Sequence, residues 1–202
     1  MSTVIYPSPI FGPVHSRRLG VSLGINLMPA DGKVCTFDCI YCECGFNAQR
    51  RPTQRRPSRQ AVADALEAQL KKMSTEGPAP DVLTFAGNGE PDFASIVDDT
   101  LGLRDRYCPQ AKVSVLSNAT LAHRPEVRDA LLRVDNNILK LDTVDAEYIR
   151  RVNRPTGAYD VKQVVETLRS YAGQAIVQTM FMKGRDTEGN DVDNTGDRYV
   201  LP

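Results

Sequence analysis

The feature of this sequence that most restricts its fold is an alternation of short apolar runs with longer segments of helical periodicity. Apolar runs typical of strands lie at residues 19–28, 82–86, 113–117, 138–141 and 175–181. Between them, apolar residues recur every three or four positions in four segments, which follow Ser58, Asp92, Pro125 and Asp160. Such alternation is typical of right-handed βαβ units around a parallel sheet. The sequence therefore predicts an α/β domain with about five strands and four helices.

Charge and cysteine content exclude several classes of protein. The 25 Lys and Arg residues balance the 25 Asp and Glu residues, which argues against a general binder of nucleic acids or membrane surfaces. No apolar run approaches the roughly 18 residues of a membrane span, and the first residues lack the features of an export signal. Three of the five cysteines lie within residues 35–42, which favours a metal or cluster site over a disulfide framework. We expect a soluble, cytoplasmic protein with no membrane contact.

The segment between the first two predicted strands is about twice as long as those that follow. Its surplus, residues 30–57, contains the cysteine cluster and an arginine-rich stretch. In parallel α/β sheets, ligands bind beyond the carboxyl ends of the strands. The surplus loop leaves the first strand at that end, so it lies where a site is expected.

The cysteine cluster itself has the spacing Cys35-x3-Cys39-x2-Cys42. Three thiolates on a tight loop can bind three irons of a [4Fe–4S] cluster and leave the fourth iron without a protein ligand. The alternative is a structural zinc site that Cys44 closes as the fourth thiolate. The cysteines alone leave both interpretations open.

A second motif follows the strand at residues 82–86 and reads Gly87-Asn88-Gly89-Glu90-Pro91. The two glycines let a ligand approach the backbone closely, and Glu90 places a carboxylate at the carboxyl end of the strand. A turn that uses the glycines for geometry alone is the alternative. Because the turn is predicted beside the cysteine loop, the functional interpretation is favoured.

Together, these two motifs resemble the signature of the radical S-adenosylmethionine (SAM) superfamily. Tyr41 supplies the aromatic residue before the last cysteine of that signature, and the turn at 87–91 resembles the superfamily's GGEP-type element. The strings at 16–26 and 39–45 are similar to a bacterial and archaeal subgroup labelled after the wyosine-tRNA synthases. The resemblance implies a partial (β/α)6 barrel, truncated here to about five parallel strands, with a core domain at 1–182 and a Gly/Asp-rich tail at 183–202.

The resemblance also implies cofactors and the residues that bind them. Cys35, Cys39 and Cys42 would hold a [4Fe–4S] cluster, and the Tyr41 backbone would lie against the adenine of SAM. The ammonium of SAM would be received by Gly87, Asn88, Gly89 and Glu90. The implied activity is reductive cleavage of SAM to a 5′-deoxyadenosyl radical that abstracts hydrogen from an unidentified substrate. A flavodoxin or ferredoxin would donate the electron.

Polar residues on two further strands are candidates for contacts with SAM. Ser117 and Asn118 end the third predicted strand and suit ribose hydroxyls, although a polar strand terminus would look the same. Lys140 and Asp142 alternate with leucines and so share one face of the fourth strand. If that face lines the barrel, Lys140 could meet the SAM carboxylate and Asp142 the ribose; otherwise the two form an ion pair with each other.

Two basic segments are candidates for contacts with anions. The first is His15-Ser16-Arg17-Arg18, which could hold a substrate anion or form a solvated face. The second places five arginines within ten residues without an acid: Arg50, Arg51, Arg55, Arg56 and Arg59. It could grip phosphates of RNA or a nucleotide, or it could be a solvated loop.

The chain also departs from the superfamily's pattern. Five predicted strands instead of six leave an open barrel edge, at which a partner chain is expected. Only Cys44 and Cys108 remain beyond the motif, too few for the second cluster expected of wyosine synthases. The rivals to a radical SAM enzyme are a four-thiolate zinc module that binds RNA and a truncated, cluster-binding homologue without turnover.

Overall fold

The computed structural model describes residues 3–90 and 93–196, and its centre is a six-stranded sheet. The strands follow one another across the sheet in chain order: β1 Ile10–Ser16, β2 Gly20–Ile25, β3 Val82–Phe85, β4 Lys112–Ser117, β5 Asn136–Lys140 and β6 Ala175–Gln178. The strands β2 to β6 are parallel, and β1 pairs antiparallel with β2. The structure thus confirms the α/β class and the five predicted parallel strands.

Helices connect the parallel strands. They are α1 Arg59–Glu76, α2 Val97–Tyr107, α3 Pro125–Leu131, α4 Ala146–Tyr148, which continues into a π-helical turn at Ile149–Asn153, and α5 Val161–Arg169. Ser58 caps α1 by accepting from the backbone N–H of Ala61, and Asp160 caps α5 in the same manner. The turn at α4 was not predicted. Pro91 and Asp92, which the sequence placed before α2, lie outside the described residues.

The two faces of the sheet carry different side chains because only one face packs against helices. Apolar residues of the strands alternate onto that face and are fully buried, among them Leu23, Ile25, Leu83, Phe85, Val113, Val115 and Leu139. The buried stripe of α1 packs into the same core through Val62, Leu66 and Leu70. The opposite face carries small and polar residues such as Ser22, Gly24 and Thr84, and it lines a cavity. The sheet therefore separates the core from the site.

The sheet does not close into a barrel. In the described part of the chain, β1 and β6 are its two edges. The β6 edge exposes about half of the side chains of Ile176 and Val177. A partner chain at this edge stays a prediction. Among the helices that the structure describes, none has the length and apolar character needed to cross a membrane.

Two segments differ from the expectation. The strand β1 was not predicted, and residues expected to form a loop after 182 instead form a hairpin of β7 Lys183–Arg185 and β8 Asp191–Asp193. Asn194 ties this hairpin to the domain, because its Nδ2 donates to the carbonyls of Asp142 (3.1 Å) and Met180 (2.9 Å). The division into a core and a tail at residue 182 stays a prediction, and residues 197–202 lie outside the described part.

Candidate active site

A cavity of about 420 Å³ occupies the concave side of the sheet. It collects nearly all of the residues that the sequence predicted for the site: Cys35, Cys39, Tyr41, Cys42, Gly87, Gly89, Glu90, Ser117, Asn118 and Lys140. Two predicted residues, Asn88 and Asp142, are absent from the lining of this cavity in the described structure. The cysteine loop, the glycine turn and the ends of β4 and β5 thus meet at one place.

The glycine turn after β3 packs directly against the start of the cysteine loop. The backbone N–H of Val34 donates to the Asn88 carbonyl (2.9 Å), and the N–H of Glu90 donates to the Val34 carbonyl (3.2 Å). Between these bonds, Gly89 lies so close that a Cβ atom on it would be 1.7 Å from the Val34 carbonyl oxygen. A side chain at position 89 is therefore excluded, and the turn and the loop are held together as the sequence predicted.

The Asn88 side chain is bonded to the N-terminal segment and does not line the cavity. Its fully buried side chain accepts from the backbone N–H of Tyr6 (2.7 Å) and donates to the carbonyls of Tyr6 (2.8 Å) and Pro29 (3.0 Å). Asn26 makes similar bonds to the same N-terminal segment and lies against Gly87. The Asn88 side chain thus holds the turn to the N-terminal segment. Of the four residues predicted to contact the ammonium, Gly87, Gly89 and Glu90 line the cavity.

A buried polar cluster, which the sequence reasoning missed, shapes the inside of the cysteine loop. The Lys33 ammonium, 1% exposed, lies 2.6 Å from the Gly45 carbonyl and 3.3 Å from Asp38. Asp38 accepts from the backbone and side-chain N–H groups of Asn47 (both 2.8 Å), and Asn47 accepts from the backbone N–H of Cys35 (2.9 Å). The only sequence signal for this cluster is that polar residues lie among the cysteines.

Two asparagine side chains face the cysteine sulfurs. The Nδ2 of Asn118 lies 3.7 Å from the Cys35 sulfur, and the Nδ2 of Asn153 lies 3.7 Å from the Cys39 sulfur. Burial raises the pKa of Cys35 to about 12 and also raises the pKa of Cys39. Burial disfavours the charged thiolate, and amide donors of this kind offset part of this unfavourable free energy when the thiolate binds metal.

The donor set fits an iron–sulfur cluster. Cys35, Cys39 and Cys42 line one cavity, whereas Cys44 is buried with its sulfur 3.8 Å from the Gly87 carbonyl. Over residues 3–90 and 93–196, no three His, Cys, Asp or Glu side chains converge on a single-ion site. Zinc would require four donors around one atom, whereas a cubane cluster binds each thiolate through a different iron. Three sulfurs around a shared cavity are what the cluster requires.

Asp142 lies behind the cavity lining instead of in it. Its side chain is fully buried, and it accepts from the Tyr41 hydroxyl, from Asn153 Nδ2 (2.6 Å) and from the backbone N–H of Met180 (2.8 Å). The Lys140 ammonium lies 3.3 Å from the same carboxylate and 4.7 Å from the Tyr41 ring centroid. The carboxylate is therefore bonded to protein groups, the Lys–Asp pair among them, and its contact with a ribose stays a prediction.

Glu90 brings a buried carboxylate to the cavity wall. It accepts from the Ser117 hydroxyl and from the backbone N–H of Asn118 (2.8 Å). Burial raises its pKa from the usual value to about 7, although both hydrogen bonds act in the opposite direction. A cationic ligand beside it would favour the charged form. Ser117 and Asn118, predicted for the ribose, thus hold Glu90 while they line the cavity.

This raised pKa predicts a pH-dependent stability of the metal-free protein. The folded state binds the Glu90 proton more tightly than the unfolded chain, so stability is lost as the pH rises through about 4.5 to 7. Relative to Glu90→Gln, which does not titrate, the wild type should lose about 3 kcal/mol of unfolding free energy between pH 4.5 and 8. Urea unfolding of both proteins across this range measures the difference, and parallel curves would contradict the assignment.

The arginine-rich segment lies away from the lining of the cavity. Arg50 donates to the Thr3 hydroxyl (3.0 Å from Nε), and Arg59 pairs with Asp99 at 2.7 Å. Both contacts are exposed and hold the segment to its own chain. Its predicted contact with RNA or a nucleotide stays a prediction.

Comparison with known proteins places this geometry in context. The family model described as the Radical SAM superfamily matches residues 31–193. A UPF0026 protein of Helicobacter pylori is 30% identical over 190 residues, which cover 92% of this chain and 60% of that protein. A UPF0026 protein of Methanocaldococcus jannaschii is 33% identical, over 85% of this chain and 53% of the relative. The chain thus spans little more than half the length of these relatives.

Solved structures share the fold at low sequence identity. The structure described as native anSMEcpe with bound AdoMet has a TM-score of 0.55 and 16% identity, over 78% of this chain and 43% of that chain. The same protein with bound AdoMet and a Cp18Cys peptide has a TM-score of 0.52 and 18% identity, over 78% of this chain and 42% of that one. This chain therefore shares its fold with part of a protein whose structures were solved with AdoMet bound.

Proposed function

Because this chain belongs to the radical SAM superfamily, we propose that it binds one [4Fe–4S] cluster and SAM and uses them to abstract hydrogen from a substrate. The observation that carries the proposal is the meeting of Cys35, Cys39 and Cys42 with Glu90 in a single cavity. A cluster held by three thiolates and a carboxylate suited to an ammonium are the two halves of a SAM site.

The cysteine loop would hold the cluster. Cys35, Cys39 and Cys42 supply the thiolates, and the amides of Asn118 and Asn153 donate toward two of the sulfurs. The Lys33 ammonium, buried within the loop, offsets part of the negative charge of the thiolates. The loop is therefore braced before any metal binds, and its position beside β3 is fixed by the bonds of Val34.

The glycine turn and the ends of β4 and β5 would hold SAM. Glu90, with the carbonyls around Gly87 and Gly89, receives the ammonium, and Lys140 lines the wall from which its charge can reach a carboxylate. Ser117 fixes the Glu90 carboxylate in place by donating to it. When bound, the reduced cluster supplies the electron that cleaves the sulfonium of SAM, giving a 5′-deoxyadenosyl radical that takes hydrogen from substrate.

Apolar walls would protect this chemistry from water. Phe37, Leu116 and the ring of Tyr41 line the same cavity as the cysteines. Tyr41 is held in place by its hydroxyl, which donates to Asp142. Walls that exclude water limit side reactions of a radical, so the residues here position the reactants and shield them.

The proposal predicts cleavage of SAM by the purified, reconstituted protein. Under anaerobic conditions with a chemical reductant, the wild type should release 5′-deoxyadenosine, and Glu90→Gln should bind SAM about tenfold more weakly because it lacks the charge that the ammonium meets. Liquid chromatography measures the product, and equilibrium dialysis measures SAM. A protein that holds about four irons but releases no 5′-deoxyadenosine would instead be a cluster-binding homologue without turnover.

The natural electron donor, within this proposal, is a small flavodoxin or ferredoxin in the cytoplasm. In the rival zinc module that binds RNA, Cys44 would be the fourth ligand; its buried thiol contacts Cys42 and the Gly87 carbonyl, but among residues 3–90 and 93–196 no three His, Cys, Asp or Glu side chains converge on one ion. A colourless protein with one zinc per chain after reconstitution would nevertheless favour that rival over the enzyme.

A further inference from the structure

The cavity extends beyond the contacts that a cluster and SAM would use. Farthest from the cysteines, the lining includes residues from the end of β1 and from the turn between β1 and β2: Val14, Ser16, Arg18 and Leu19. We propose that this end binds the anionic group, a carboxylate or a phosphate, of an otherwise apolar substrate, with Arg18 as its anchor. This inference rests on the proposed function and deepens it by naming the class of substrate.

The direction of β2 places Arg18 at the opposite end of the cavity from the cysteines. The strand begins at Gly20, next to the turn, and ends at Ile25, from which the chain continues to the cysteine loop. Six residues at about 3.3 Å each separate the two ends of the strand by roughly 17–20 Å, part of which the long Arg18 side chain can span. A substrate held at Arg18 can therefore reach toward the reacting end.

Hydrogen bonds hold the backbone of the turn at Arg18. Ser16 pairs with Gly20 across the hairpin, and the Ser16 hydroxyl accepts from the backbone N–H groups of Arg18 (3.4 Å) and Leu19 (3.2 Å). Arg18 lines the cavity, whereas the neighbouring Arg17 does not belong to its lining in the described structure. The two adjacent arginines thus differ in position, and they offer a matched comparison.

The acidic residues in the lining of the cavity, and Lys140 beside Tyr41, lie at its cysteine end. The Glu90 and Glu43 carboxylates lie at the cysteine end, where a cationic sulfonium and ammonium are expected. Of the two basic residues in the lining, Lys140 is paired with Asp142, whereas the exposed Arg18 side chain has no hydrogen-bond or ion-pair partner among residues 3–90 and 93–196. A guanidinium offers two parallel N–H donors to a carboxylate or a phosphate. The far end is therefore suited to an anion.

The wall between the two ends is mainly apolar. Phe11 covers the sheet there, because Gly24 leaves the space that its ring occupies; a Cβ atom at position 24 would lie 2.2 Å from that ring. The two hydroxyls on this wall, those of Ser22 and Thr84, bond to each other at 2.8 Å. Since these hydroxyls already have partners, the wall favours the hydrocarbon part of a substrate.

The test is the binding of small probes to the full chain by isothermal titration calorimetry. The probes are 3-phenylpropionate, phenyl phosphate and the neutral 3-phenylpropan-1-ol. The wild type should bind at least one anion about tenfold more tightly than the alcohol, and the preferred anion distinguishes a carboxylate from a phosphate. Arg18→Met should remove this preference, and Arg17→Met should retain it.

Three outcomes would overturn the inference: neither anion binds the wild type, the alcohol binds as well as both anions, or both arginine variants lose the preference equally. Melting temperatures of the variants verify folding, and both side chains are exposed. The titrations need neither iron nor SAM. If the chain fails to bind iron on reconstitution but binds the probes through Arg18, the proposed function is wrong and the anchor stands. If it binds iron and cleaves SAM but binds no probe through Arg18, the anchor is wrong and the proposed function stands.

Discussion

Replacing Cys39 by Ala is expected to lower the iron content of the anaerobically reconstituted protein from about four atoms per chain to less than one. The Cys39 sulfur is buried in the wall of the cavity and faces the amide of Asn153. Two remaining thiolates cannot hold a cubane that requires three. Iron analysis and the absorbance near ~400 nm measure the loss.

Two other cysteines serve as controls for this substitution. Cys44 lies beside Cys42 in sequence but outside the cavity lining, and Cys108 lies at the end of α2. Cys44→Ala and Cys108→Ala should both keep the iron of the wild type, because the proposed ligands are Cys35, Cys39 and Cys42. Equal loss of iron in Cys39→Ala and Cys44→Ala would show that the assignment of ligands is wrong.

The parallel strands could be predicted from the sequence because each of them is a short apolar run that the core buries. Val82–Phe85 is buried along its whole length, and the carboxyl end of that strand leads into the glycine turn. The strand β1 gives a weaker signal, since most of its side chains are exposed and Gly12 and Pro13 interrupt it. An edge strand of this kind has no apolar pattern to recognise.

The site could be predicted only as far as local motifs specify it. The cysteine spacing and the glycine turn are continuous in sequence, so their residues were found. Asn153, by contrast, meets Cys39 across 114 positions from a π-helical turn, and Asp142 receives its partner Tyr41 across 101 positions. Such contacts are decided by how the elements pack. An aspartate that alternates with leucines has the same sequence pattern whether its side chain faces a ligand or a tyrosine, so the pattern cannot distinguish the two.

Gly89→Ala should destabilise the folded protein strongly, although it adds only one methyl group to the turn. Its Cβ atom would lie 1.7 Å from the Val34 carbonyl oxygen and 3.2 Å from the Cys35 nitrogen. Both contacts are backbone, so no side chain can move aside, and the turn must separate from the cysteine loop. We expect a loss of about 3 kcal/mol or more in unfolding free energy, together with the loss of SAM binding. Urea unfolding and equilibrium dialysis measure the two effects.

The matched substitution is Gly102→Ala in α2, where a Cβ atom would have no neighbour within 4 Å. Alanine is a better helix former than glycine, so this variant should gain about 0.5–1 kcal/mol and bind SAM as the wild type does. The same chemical change thus has opposite signs at two positions. If Gly89→Ala were as stable as Gly102→Ala, the turn and the cysteine loop would not be in contact. The cysteines would then have no fixed position beside Glu90, on which the binding of SAM next to a cluster depends.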